Sequence, residues 1–269
     1  MKKLNSLIKK HMPAAMLKAL MRWHYERRGR RNARRYRGEA VTCPCCGETF
    51  RAFMDFECSD MNNAARYAGY GANTVCPRCA SFPRHRVACC YFDENRERLG
   101  ERILMFGAER SIEKWFRRNG FRYTTADLFD RTAEIRADIE ATPFADGHWS
   151  LIVCNHVLEH VPDYKAALKE LRRILATDGI LEISVPTDRR QATVCEDARA
   201  TAPEQRIARF GQADHLRIFG SDVEAILTAA GFAVEAVCGD ALPPAFRAVV
   251  GPADYDDNRI YVCRKEART

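Results

Sequence analysis

From about residue 100 onward the chain alternates short apolar runs with amphipathic stretches. "RILMF" reads as a strand. "SIEKWFRRNG" follows with Ile112, Trp115 and Phe116 on one side at helical spacing and ends at Gly120, which predicts a helix. "FRYTTADL" predicts a second strand, "AEIRADI" a short third, and "WSLIVCNHV" a buried fourth. In "DYKAALKELRRILATDG", Ala167, Leu171 and Ile174 recur at i, i+4, i+7, so a helix is predicted with Gly179 past its end. "ILEISVP" is a further strand. "SDVEAILTAAG" reads as a helix opened by a capping box of Ser221 and Glu224, and "FAVEAV" and "RIYVCR" close the pattern as strands. Such alternation implies a mostly parallel sheet with helices on both faces, whose ligands sit at the carboxyl ends of the strands.

The first hundred residues follow a different rhythm. "LNSLIKK" and "PAAMLKALMRWHYERR" place Leu4, Leu7, Ile8 and then Met16, Leu17, Leu20, Met21 at helical spacing, with Pro13 suited to the first turn of the second piece. A basic run, "RRGRRNARRYRG", comes next. Residues 1–40 hold thirteen Lys and Arg against two Glu, whereas the other residues carry 30 basic and 34 acidic side chains. The net charge of +7 therefore belongs to an N-terminal arm, and a nucleic-acid groove across the whole body is disfavoured. The arm reads either as a helix docked on the body, as an anchor on an anionic membrane surface, or as a clamp on RNA phosphates. No apolar run approaches the ~20 residues that span a bilayer, and no secretory signal is recognisable, so a cytoplasmic protein, peripheral at the inner membrane face, is expected.

Twelve cysteines in such a setting call for metal ligation or burial. "CPCCG" and "CPRC" contain two Cys-x-x-Cys turns, Cys43/Cys46 and Cys76/Cys79, which together offer four thiolates to one tetrahedral zinc ion. The spacing favours Cys43 and Cys46 over Cys45. A closed shell of this kind serves folding. Cys58 has no partner in the pattern, and Cys89 and Cys90, on the helix predicted at "PRHRVACCYFDENRERLG", belong to the core. The chain thus divides into a basic arm (1–40), a zinc ribbon (41–82) and an α/β domain (83–269).

The predicted strand ends carry the candidate chemistry. The first presents "FGAE", where only Gly107 remains of a glycine-rich loop. The second presents Asp127, an acid able to accept two hydrogen bonds from a ribose diol. The third gives Asp138 and Ile139, an acid for an adenine amino group and an apolar cover for the ring. The fourth gives "CNHVLEHVPD".

With these ends in place, "DIEATPFADGHWSLIVCNHVLEHVPDYKAALKELRRILATDGILEISVP" closely resembles the core of class I S-adenosylmethionine-dependent methyltransferases. With "CPCCG…CPRC", "FPRHR" and "FGQADHLRIFG", the chain from about residue 41 is similar to a bacterial group with an N-terminal zinc ribbon. The resemblance implies a Rossmann-like, seven-stranded sheet with its last strand antiparallel, one S-adenosylmethionine and methyl transfer. It also implies that Phe106, Gly107 and Ala108 line the methionine part, Asp127 holds the ribose, Asp138 and Ile139 contact adenine, and Asn155 with His156 flank the sulfonium. The family's first loop has an acid before it and two or three glycines; here Met105 and Phe106 precede the glycine, and Ala108 and Glu109 follow it.

Candidate bases are His156, His160 and His215. The first two would share a helix face if the next helix starts early; the intervening "VLE" matches the methyltransferase segment, which argues against a second metal. His215 and Asp214 lie on an insertion where this fold covers its acceptor, so both are expected either to face substrate or to make a loop hydrogen bond. Arg189 and Arg190 would meet an anionic acceptor or simply be solvated. Three functions follow: methylation of a membrane-proximal glycan or lipid-linked sugar, methylation of RNA, or a non-catalytic zinc-ribbon adaptor.

Overall fold

In the computed structural model, residues 11–56, 72–239 and 259–266 are described; Leu4, Leu7, Ile8 and Cys58 lie outside them. The chain begins with α1 (Ala14–Arg35) and the hairpin β1 (Val41–Thr42) and β2 (Thr49–Phe50). Then come α2 (Pro83–Glu94), β3 (Ile103–Phe106), α3 (Arg110–Arg118), β4 (Thr124–Asp127), β5 (Ile135–Arg136) and β6 (Trp149–Asn155). α4 (Tyr164–Ile174) leads into β7 (Leu175–Ser184). An insertion of β8 (Cys195–Glu196), α5 (Pro203–Phe210) and β9 (Arg217–Ile218) precedes α6 (Val223–Ala229), β10 (Phe232–Cys238) and β11 (Arg259–Lys265).

Seven strands form one sheet in the order β10-β11-β7-β6-β3-β4-β5. β3 to β7 run parallel, and β11 is antiparallel to both its neighbours. Period-two alternation sorts the side chains of each strand to two faces. Ile103, Met105, Leu151 and Val153 share a core with Phe92 of α2 and Trp115 and Phe116 of α3. Leu104, Phe106, Ile152 and Cys154 pack instead with Ala167 and Leu171 of α4 and Leu227 of α6. Both faces are covered, which is why β3 and β6 read as unbroken apolar runs rather than as alternating ones.

Two local expectations are corrected. α4 stops at Ile174, and the next residue already pairs as strand, Leu175 with Trp149, before a register shift to Leu151. Gly179 is therefore a strand residue. A Cβ there would lie 2.9 Å from Leu175 Cδ1 and 3.0 Å from the Trp149 carbonyl, so close packing of β7 on β6 needs the glycine. The capping box of Ser221 and Glu224 does not form. Asp222 occupies the cap position of α6, and the Ser221 hydroxyl donates to the carbonyls of Gln191 and Ala192, holding the insertion.

The segment before the sheet is continuous with it. Cys43, Cys45, Cys46, Phe50, Phe53 and Cys76 belong to the same buried cluster as α2 and α3. α1 lies against this segment through Gly29, where a Cβ would fall 2.2 Å from the Arg78 carbonyl. Glu26 pairs with Arg78 and, at 3.3 Å, with Lys114 of α3.

Candidate active site

The parallel strands aim their carboxyl ends at one edge of the sheet. At the end of β3 the chain turns at Gly107 with φ +57°, a conformation that disfavours a Cβ; one placed there would also sit 3.0 Å from Val157 Cγ2. Phe106 is buried below the turn and Ala108 packs on the core beside it. Glu109, just before α3, turns its carboxylate toward α2: Oε1 lies 2.5 Å from His85 Nε2 and 2.9 Å from an Arg84 nitrogen. Burial works to raise its pKa, but the His85 and Arg84 charges prevail and hold it well below the usual carboxylate range. Its Oε2 is buried with no hydrogen-bond partner among the described residues.

At the end of β4, Asp127 Oδ1 accepts the N–H groups of Phe129 and Asp130, both at 2.7 Å, which shapes the next loop and leaves Oδ2 outside those bonds. After β5, Asp138 is exposed and Ile139 is buried in the core. At the end of β6, Asn155 turns inward. Its Nδ2 donates to Glu182 Oε2 at 2.9 Å and its Oδ1 accepts from the Ser184 hydroxyl at 2.5 Å. The sequence places Asn155 beside the sulfonium; the structure spends its side chain on satisfying a buried acid in β7. Burial pushes the Glu182 carboxyl up to about 8, against the pull of the Asn155 bond.

His156 follows with φ +53° and its N–H bonded to the Ser184 carbonyl at 2.9 Å. Residues 156–163 form turns, and α4 starts only at Tyr164, so the expected helical face for His156 and His160 does not exist. The turn nevertheless gathers the rings around Glu159, which is fully buried: His156 Nδ1 lies 3.2 Å from Oε1, His160 Nε2 3.8 Å and His215 Nε2 4.0 Å. His215 is corrected in this way from a substrate-facing to an enclosed residue, 2% exposed, while the neighbouring Asp214 side chain is 72% exposed. Glu159, Glu109, His85 and Glu182 are missed by the sequence reading. The i, i+3 spacing of His156 and Glu159 is the one local signal that would have found Glu159.

The four expected metal ligands also converge. Cys43, Cys46, Cys76 and Cys79 bring their sulfurs within 4.8 Å of one another. Cys43–Cys79 and Cys46–Cys76 are 3.7 and 3.8 Å apart, close to the tetrahedral edge of roughly 3.8 Å set by a Zn–S bond of about 2.3 Å. Each turn is closed by a backbone bond, Gly47 N–H to Cys43 O and Ala80 N–H to Cys76 O. Cys45 turns away, its thiol 3.4 Å from the His85 carbonyl.

Residues 83–237 match the model of a family described as a methyltransferase domain. The chain belongs to that family. The methyltransferase is also similar in fold to solved structures. These include the 1,6-didemethyltoxoflavin N1-methyltransferase of Burkholderia thailandensis, at 19% identity and a TM-score of 0.46 over 68% of this chain and 79% of that one. YcgJ of Bacillus subtilis matches at 15% identity and 0.42 over 68% and 100%, and the [4+2]-cyclase SpnF at 18% and 0.44 over 67% and 82%. No curated protein matches it. The family makes the protein an S-adenosylmethionine-dependent methyltransferase, which leaves the adaptor reading without support. Among the described residues, no helix is long and apolar enough to cross a membrane.

Proposed function

We propose that the enzyme methylates a hydroxyl of a glycan or lipid-linked sugar at an anionic membrane surface. The observation that carries this reading is the outer face of α1. Met16, Leu20 and Trp23 follow one another at i, i+4 and i+7 and are 61, 43 and 54% exposed, with Lys18, Arg22 and Arg27 between and beside them. An apolar stripe rimmed by cations suits the boundary between acyl chains and acidic headgroups.

When bound, S-adenosylmethionine supplies a methyl group on a positively charged sulfur. The residues at the strand ends fit it. Gly107 leaves the room a Cβ would fill, and Glu109 Oε2 lacks a donor where the methionine ammonium offers three. Phe106 and Ala108 would line this end, Asp127 Oδ2 would take the ribose, and Asp138 and Ile139 would border adenine. His156, at the tip of β6 with 23% of its side chain exposed, would accept the hydroxyl proton. The four thiolates of Cys43, Cys46, Cys76 and Cys79 fit a structural zinc ion. Buried Arg86, which donates to the carbonyls of Thr74 and Ser81, offsets their negative charge.

Two measurements test the proposal. The protein should co-sediment with vesicles containing phosphatidylglycerol, and Met16→Glu with Leu20→Glu should abolish this without lowering affinity for the cofactor. Salt-sensitive co-purification of RNA in place of vesicle binding would favour an RNA acceptor and overturn the membrane assignment. Asp127→Ala should weaken S-adenosylhomocysteine binding about tenfold or more by calorimetry, because the ribose diol loses a charged acceptor; unchanged affinity would remove Asp127 from the site.

A further inference from the structure

Glu159, His160 and His215 bring one donor atom each within 4.8 Å of one another, away from the cysteine cluster. Glu159 is fully buried, and neither of its oxygens has a hydrogen-bond partner among the described residues. The nearest ring nitrogen is His156 Nδ1, 3.2 Å from Oε1. An ionised carboxylate left this way is costly unless a cation faces it.

The two imidazoles are set to be ligands rather than donors. His215 Nδ1 lies 3.0 Å from the Phe210 carbonyl, and His160 Nδ1 lies 3.3 Å from the Asp214 carbonyl. A carbonyl only accepts, so each Nδ1 carries the proton, and each Nε2 turns a lone pair toward Glu159. At 3.8 and 4.0 Å these nitrogens are too far from Oε1 for hydrogen bonds, and unprotonated they have no hydrogen to give. Three electron-pair donors thus surround one point with no proton among them. Backbone carbonyls holding the far nitrogen of each ring are the support that metal-bound histidines have. The scaffold is rigid where it matters: the Leu216 N–H donates to the Glu159 carbonyl at 2.8 Å, and Arg217 donates to the carbonyls of Leu158 and Pro162.

We infer that Glu159, His160 and His215 form a second metal site, for a divalent transition-metal ion held by one carboxylate and two imidazoles. Two histidines with one carboxylate suit zinc, iron or manganese and leave coordination positions open. His160 is the partly exposed member of the three, its side chain 33% exposed and its ring centroid 4.8 Å from that of His215. On the hydroxyl-acceptor reading proposed above, those positions would receive the acceptor oxygen; the site itself does not depend on which acceptor is methylated.

The test uses the full chain with one equivalent of zinc added to fill the thiolate site, titrated with Co2+ alone by calorimetry and visible absorption. The expected result is one Co2+ per chain without the intense near-ultraviolet band of cobalt–thiolate bonds. Glu159→Gln and His160→Ala should each weaken it tenfold or more, about 1.4 kcal/mol. His160→Ala removes a partly exposed ring, and unchanged circular dichroism would establish that its fold is kept. Saturable uptake that neither variant alters, or no uptake up to about 1 mM Co2+, overturns the assignment. Because no acceptor is present, failure here is distinct from failure of the membrane reading.

Discussion

The molecule holds two clusters of metal-type donors, and they differ in how they are built. The cysteine cluster comes from two tight turns near in sequence, closed by their own backbone bonds and embedded in the core shared with α2 and α3. The Glu159 cluster joins a turn after β6 to an insertion more than fifty residues later, at the edge where the strands end. The first is enclosed by four sulfurs. The second has three ligand atoms and one partly exposed ring. A closed shell on local turns would build structure, whereas an open one at the strand ends would be placed to serve chemistry.

The largest expected effect would come from breaking the first cluster. Cys76→Ser leaves three thiolates, two of them buried, around an incomplete shell against the main core, so a stability loss of order 4 kcal/mol or more is expected. Thermal unfolding and zinc content measure it. A small drop with zinc retained would mean that the ribbon is not a folding element, and the contrast would fail.

The next effect separates Glu159 from the other buried acid of the strand ends. Glu182 is pushed up to about 8 by burial, whereas Glu159 is held below its ordinary value: burial opposes this, but the neighbouring His156 outweighs it. In the unfolded chain Glu182 titrates near 4.5. Between that value and about 8 the folded state binds the extra proton, so this group's contribution to stability is complete below pH 4.5 and is lost as pH rises toward 8. Glu182→Gln, neutral at every pH, should leave stability at pH 5 nearly unchanged and raise it at pH 8 by about 2–4 kcal/mol. Denaturant unfolding at the two pH values reads this directly. Equal effects at both would show that Glu182 ionises freely.

The difference between the clusters is also a difference in legibility. Cys-x-x-Cys turns, buried strand runs and helix faces such as Ile112, Trp115 and Phe116 are local patterns, and each survives in the structure. Gly107 is legible as a turn because a positive φ suits glycine, but the groups that hold Glu109 beside it, His85 and Arg84, arrive from another helix. Asn155 misleads in the opposite way. Its position at a strand end suggests a ligand contact, yet the need of Glu182 for a donor, set by pairing of β6 with β7, turns it inward. Glu159 lies inside a segment that the family resemblance already accounts for, and only the return of the insertion to that edge places His215 beside it.

The smallest expected effect is the sharpest test of the contrast. His160→Ala deletes a ring that is one-third exposed and whose hydrogen bond is to a loop carbonyl. In metal-free buffer its cost to folding should stay below about 1 kcal/mol, in the range of a partly exposed hydrogen bond. Added Co2+ should then raise the melting temperature of the wild type by mass action, since the ion binds only the folded state, and should raise that of the variant far less. Cys76→Ser has the reverse signature: a large loss of stability that cobalt at the strand ends does not repair. If His160→Ala instead unfolds the chain, the second cluster is a structural staple like the first, and the division between a folding site and a working site disappears.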